Sequence, residues 1–398
     1  MLVANQFHIT YCTNIHPGET WQVTFDSLQS YVIEVRKKVA EHEPFGIGLR
    51  LSNIASEQLG QKNELTVFKD WLERNNLYIV TMNGFPYGNF HKETVKDFVH
   101  QPDWTTQDRV VYTKRMFSQL SYLLAAKGSA GISTSPVSYK RWYTTQEQKE
   151  KVLEKGARHM VDVAFYLYEL EKSTGKYLHL DIEPEPDGML ENTKDFIVFF
   201  QEYLIPSGIV AFSEKYEYPE QKIKELIRRY ITLCYDVCHF ALAFEEPQDT
   251  FEKLAKTGIK TGKIQVSSAL KVSFNKSKKK EIISNLRRFD EDIYLHQVTA
   301  LNNINEIKTF RDLSAFFESS EIYNEARVHF HVPIFTEHYG LLTSTQDQIL
   351  KTIAYLKSNP VTTCLEIETY TWDVLPKDLK INLAESISRE MNWLKNKL

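Results

Sequence analysis

The feature that most constrains this 398-residue chain is a regular alternation of short, strand-like apolar runs with longer helical ones. Strand-like runs stand at residues 7–12 (FHITYC), 46–51 (GIGLRL), 77–82 (LYIVTM), 130–134 (AGIST), 177–183 (YLHLDIE), 231–236 (ITLCYD), 263–267 (KIQVS), 327–334 (RVHFHVPI) and 364–369 (CLEIET). Helical segments fall between them, at about 21–41, 108–126, 147–172 and 345–356. Strand then helix, in strict turn, implies a parallel sheet, either open or closed. At least eight strands are present, and polar groups gather at many strand ends rather than at one switch point. Both facts favour a (β/α)8 TIM barrel over an open doubly wound sheet. No G-x-G-x-x-G or G-x-x-x-x-G-K-[ST] follows a strand, so the dinucleotide and P-loop fingerprints are missing. One domain over 1–398 is expected. Residues 269–326 break the rhythm with a basic stretch (KVSFNKSKKKEIISNLRR), a further strand-like run at 293–298 and a helix near 310–317. This segment is expected to be an elaboration between strands seven and eight, its basic stretch a solvated helix face.

Charge and cysteine usage narrow the class. A net charge of −4 supplies no field for nucleic acid, so no nucleic-acid partner is expected. No stretch approaches the roughly 18 continuous apolar residues of a membrane span. The opening MLVANQFHITYCTN lacks the charged and apolar regions of a signal peptide, and a cytoplasmic protein is expected. Cys12, Cys234, Cys238 and Cys364 form no C-x-x-C pair, which points to buried reduced thiols rather than disulfides or a zinc site.

Side chains alternate along a strand, so parity tells which residues share a face. In YLHLDIE, Tyr177, His179, Asp181 and Glu183 share one face, and Leu178, Leu180 and Ile182 the other. The same rule turns Glu366 and Glu368 inward, sets Asp236 at a strand end with His239 just beyond, and puts His329 beside His331. Each group alone has a structural explanation: a carboxylate paired with Arg50, a loop cap, a core histidine. Together they suit a divalent cation held by Glu183, Asp236, Glu368 and at least one imidazole, with Mn²⁺, Co²⁺, Fe²⁺ or Zn²⁺ preferred over Ca²⁺. Such a site moves a proton between adjacent carbons of a hydroxy-carbonyl compound: the metal lowers the cost of an ene-diolate, and Glu183 and Glu368 take and return the proton.

A glutamate ending strand five, D-x-x-H after strand six, a histidine strand and a glutamate ending strand eight resemble the xylose-isomerase-like TIM-barrel superfamily. More closely, TYCTNIHPGETW, TMNGFPYGNFH, GISTSP, HLDIEPEPDG, CYDVCHFALAF, FHVPIF and LEIETYTWDVLP resemble the EboE family of bacterial "metabolite traffic" proteins. The resemblance implies metal ligands at Glu183, Asp236 and Glu368, and substrate contact at His239. The superfamily's strand-seven histidine is replaced here by Gln265, so His331 is the expected fourth ligand and His296 the alternative. His16, His91, Asn83, Gln265, His296 and Trp372 become substrate-binding candidates, with Asn14, Tyr87 and Tyr370 as further walls. The substrate implied is a small polyol, sugar or cyclitol in secondary-metabolite biosynthesis, and a homo-oligomer is compatible with the fold. The leading reading is a metal-dependent isomerase or epimerase; a non-catalytic metabolite-binding protein and an endonuclease IV-like phosphodiesterase are the alternatives.

Overall fold

The computed structural model describes residues 1–88, 96–291, 293–375, 380 and 382–398. Eight strands form the barrel: β1 (Phe7–Tyr11), β2 (Phe45–Arg50), β3 (Leu77–Asn83), β4 (Ser129–Thr134), β5 (Tyr177–Ile182), β6 (Ile231–Asp236), β7 (Thr261–Val266) and β8 (Cys364–Ile367). Consecutive strands pair in parallel from β2 round to β8, and β8 pairs in parallel with β1. A parallel bridge between Cys12 and Gly48 completes the ring. The (β/α)8 barrel read from the alternation is therefore the architecture observed.

Local chemistry explains the elements. The helix across Gln146–Thr174 starts at a capping box made by Thr145 and Gln148 and stops at Gly175, whose φ of 70° ends it in a left-handed turn. The segment expected at 21–41 is a helical run of Trp21–Ser27, a π turn Leu28–Val32 and Ile33–Val39. Thr193–Ser213 is long and apolar enough to cross a membrane by length and composition, at 21 residues and mean hydropathy 1.5. Its buried residues, Phe196, Phe199, Phe200, Leu204 and Phe212, are part of the hydrophobic core, which accounts for that apolar content.

A second, antiparallel sheet is inserted between β7 and β8. Its six strands run in the order Ile307–Phe310, Val298–Asn302, Tyr323–Val328, Leu270–Ser273, Leu342–Ser344, His338–Tyr339. Three expectations are corrected here. The sheet reaches Ser344, well past residue 326, and the run at 327–334 is not one strand. Tyr323–Val328 pairs with Val298–Asn302 and Leu270–Ser273, after which the chain leaves the sheet. Val328, Phe330, Val332 and Ile334 are all fully buried, so packing in irregular backbone produced the alternation that reads as a strand. The strand expected at 293–298 begins instead at Val298.

Inside the barrel, polar side chains fill a layer below the mouth. The Lys263 ammonium donates to the Glu366 carboxylate, both fully buried. Gly48 makes room for that pair: a Cβ there would lie 2.1 Å from Glu366 Oε1 and 2.7 Å from the Tyr11 carbonyl oxygen.

Candidate metal centre

Three carboxylates converge at the C-terminal ends of the barrel strands. Glu183 follows β5, and its amide donates to the Thr134 carbonyl at 3.0 Å. Asp236 is the last residue of β6, and Glu368 follows β8. Each offers an oxygen within 4.8 Å of the other two, and they are 3%, 0% and 4% exposed. Asp236 shows why one strand end can do two jobs. Its Oδ1 caps the helix Val237–Leu242 by accepting from the His239 amide at 3.1 Å and also accepts from Ser267 Oγ at 2.6 Å. Its Oδ2 is buried with no protein donor. Glu368 Oε1 accepts from Asn14 Nδ2 at 2.8 Å and Asn83 Nδ2 at 3.1 Å.

The imidazoles come next. His331 Nδ1 donates to the Glu368 carbonyl at 2.8 Å, which leaves Nε2 as a lone pair, buried and without a protein partner. His331 joins Asp236 and His239 in a second group whose ligand atoms lie within 4.8 Å of one another. Burial lowers His331 to about 4, so its ring is neutral at neutral pH.

The electrostatics suit a cation. Burial, and then the neighbouring Glu368 and Asp236, push Glu183 well above the usual carboxylate range. Burial, Asp236 and Glu366 do the same to Glu368. Burial also acts upward on Asp236, but His239, His331, Ser267 and the His239 amide outweigh it and take the group below its ordinary value. Three acids this close do not all ionise by themselves. A buried carboxylate oxygen and an imidazole lone pair, both lacking donors beside them, fit a divalent cation of the mixed N/O class.

Glu183, His239 and Glu368 line one side of a cavity, with Asn14, Asn83, Glu185, Tyr294, Gln297, His329 and Tyr370 also on its wall; Asp236 and His331 are not part of that lining. Among the described substrate-binding and wall candidates, Asn14, Asn83, His239 and Tyr370 reach this cavity, and His16, Tyr87, Gln265, His296 and Trp372 do not. His16 is buried against β1 instead, with Nε2 3.0 Å from the Tyr11 hydroxyl and its ring stacked on Tyr31. Gln265 lies deeper, its Oε1 accepting from the Cys234 thiol at 3.1 Å. His296 sits between Glu291 and the His329 carbonyl, stacked on Phe330, which removes it as the alternative ligand. Trp372 is a core side chain, and His91 lies outside the described residues.

Sequence reasoning missed several buried residues of the mouth, Glu185, His100, Tyr294 and Gln297 among them. Glu185 continues the parity of Glu183 through E-P-E-P, a signal that was available. His100, whose Nε2 is 2.8 Å from Glu185 Oε1, carried no pattern at all.

No family model and no curated protein matches the chain. Among solved structures, a xylose isomerase-like TIM barrel protein from Mycobacterium smegmatis in complex with magnesium superposes with a TM-score of 0.52 at 10% identity, covering 100% of this chain and 98% of that one. A xylose isomerase domain protein from Planctomyces limnophilus gives 0.49 at 10% identity over 98% and 97% of the two chains. A D-tagatose 3-epimerase-like protein gives 0.49 at 10% identity over 98% and 96%. The first of these likenesses, together with the closed parallel ring, establishes that the chain has the xylose isomerase-like TIM-barrel fold.

Proposed function

We propose that the chain is a divalent-metal-dependent isomerase or epimerase acting on a sugar, polyol or cyclitol, cytoplasmic and belonging to the EboE family. The single observation that carries this reading is the buried trio Glu183, Asp236 and Glu368 with the His331 lone pair beside it. When bound there, a divalent cation polarises substrate carbonyl and hydroxyl oxygens. Asp236 and His331 serve as ligands only. Glu183 and Glu368 open onto the cavity, so each is placed to hold or move a proton at a substrate carbon as well. Asn14 and Asn83 keep the Glu368 carboxylate turned to the site, and Tyr294 and Tyr370 supply walls against which a polyol packs. The sequence stretches already named support the family assignment.

The test is incubation of the metal-loaded protein with neutral and phosphorylated sugars and cyclitols in D₂O. Deuterium at the carbon beside the carbonyl, lost in both Glu183→Gln and Glu368→Gln, supports the reading. Solvent exchange retained in both variants overturns it. A non-catalytic binding role is the second reading, favoured by Gln265 at the strand-seven position; tight ligand binding with no exchange over long incubation would select it.

A further inference from the structure

His239 and His329 face each other in a way that two neutral imidazoles do not hold unaided. His239 Nδ1 lies 2.9 Å from the Pro184 carbonyl oxygen, and His329 Nδ1 lies 2.8 Å from Gln297 Oε1. Gln297 is oriented by its own Nε2, which donates to the Pro186 carbonyl at 3.2 Å. Carbonyl oxygens only accept, so both Nδ1 atoms carry hydrogen, and in the neutral form of each ring Nε2 keeps a lone pair. Those two Nε2 atoms stand 3.0 Å apart, on rings only 3% and 5% exposed. Two buried lone pairs at this distance repel unless a proton or a metal ion serves them both.

A third donor lies alongside. Glu185, 7% exposed, offers an oxygen within 4.8 Å of the ligand nitrogens of His239 and His329. His100 holds Glu185 Oε1 at 2.8 Å, which fixes the carboxylate and leaves Oε2 for another partner. We propose that Glu185, His239 and His329 form a second divalent-cation site, adjoining the carboxylate trio but sharing no ligand with it or with His331. Two imidazoles and one carboxylate suit Zn²⁺ or Co²⁺. All three residues line the cavity, so the side of the cation away from the protein faces the space where substrate would lie. Three protein ligands with one open position is the arrangement of sites that keep a place for water or substrate. Under this assignment His239 acts on substrate through the cation. The inference uses the cavity but does not rest on the isomerase reading.

The experiment strips the full chain with chelator, dialyses it against Zn²⁺ or Co²⁺, and counts bound metal by elemental analysis. The wild type is compared with Glu185→Gln, His329→Gln and Asp236→Asn, each checked for folding by circular dichroism. About two equivalents in the wild type, falling to about one in every variant, is the expected result. One equivalent that Glu185→Gln and His329→Gln both retain and Asp236→Asn loses would overturn the second site while leaving the first. One equivalent lost in Glu185→Gln and His329→Gln but kept in Asp236→Asn would support it and remove the first. No metal in the wild type would overturn both.

Discussion

His331 and Glu368 are joined through the main chain: the imidazole Nδ1 donates to the Glu368 carbonyl at 2.8 Å, while the Glu368 carboxylate turns toward Asn14 and Asn83. One residue thus sets the tautomer of a histidine with its backbone and offers its own side chain to the same cluster. If that pairing is what aims Nε2 at a cation, His331→Ala removes a ligand and should weaken metal binding by at least the roughly 10- to 100-fold that disturbing an outer-shell partner costs. Competition against a chromophoric chelator measures it, and unchanged affinity would remove His331 from the ligand set.

Crowded acids make a signed prediction about stability. Glu183 and Glu368 are raised in the fold, so their contribution is fully present below the ordinary carboxylate value and is lost as pH rises above it. Metal-stripped protein should therefore soften from mildly acid toward neutral pH, and stripped Glu368→Gln should melt higher than stripped wild type at pH 8. Added Co²⁺ should reverse the order, because only the wild type gains binding energy at the trio, about 2.7 kcal/mol at a hundredfold excess over Kd, whereas a cation at Glu185, His239 and His329 would stabilise both proteins alike. Melting curves in four conditions decide; an order that metal does not change counts against a cation at the trio.

Glu390 gives an independent pH test away from the mouth's chemistry. It is buried on the helix Leu383–Lys395 and accepts from Thr369 Oγ1 at 2.8 Å and the Ile334 amide at 3.1 Å. Burial outweighs both hydrogen bonds and raises the carboxyl from 4.5 to about 7. Its stabilising share is whole below pH 4.5 and disappears as pH climbs through 7, a swing of about 3 kcal/mol. Glu390→Gln should thus be more stable than wild type at pH 8 and equal to it at pH 4, by thermal melting; equal stability at both would show a carboxylate that ionises without penalty.

The Lys263–Glu366 pair predicts strong coupling. Lys263→Met strands a carboxylate in the barrel interior and should cost about 3–5 kcal/mol, whereas the double change Lys263→Met with Glu366→Leu should recover most of the loss. Chemical denaturation of the three proteins gives the coupling, and additive losses would show that the two side chains act separately.

Strand-end parity made much of the site legible. Glu183, Asp236 and Glu368 lie where alternation along β5, β6 and β8 sends them, because a closed parallel barrel leaves inward residues at strand ends no destination except the mouth. The imidazoles were harder. His331 was named, yet its route was misread, since buried irregular backbone carries the same apolar alternation as a strand. His16 and His296 were placed at the mouth by resemblance, but each had a nearer partner, Tyr31 or Glu291, that one-dimensional spacing does not reveal. His100 meets Glu185 across 85 residues of chain, and no local pattern marks such a meeting.

Barrels ordinarily furnish their mouths from short connecting loops. Here the connection after β7 has grown a six-stranded sheet of its own, and His329 and His331 descend directly from one of its strands. Reactive groups hung from a hydrogen-bonded ladder keep their aim better than groups on a pliant turn. The chemistry of this mouth can consequently be retuned by substitutions in the added sheet, leaving the ring that bears the three carboxylates untouched.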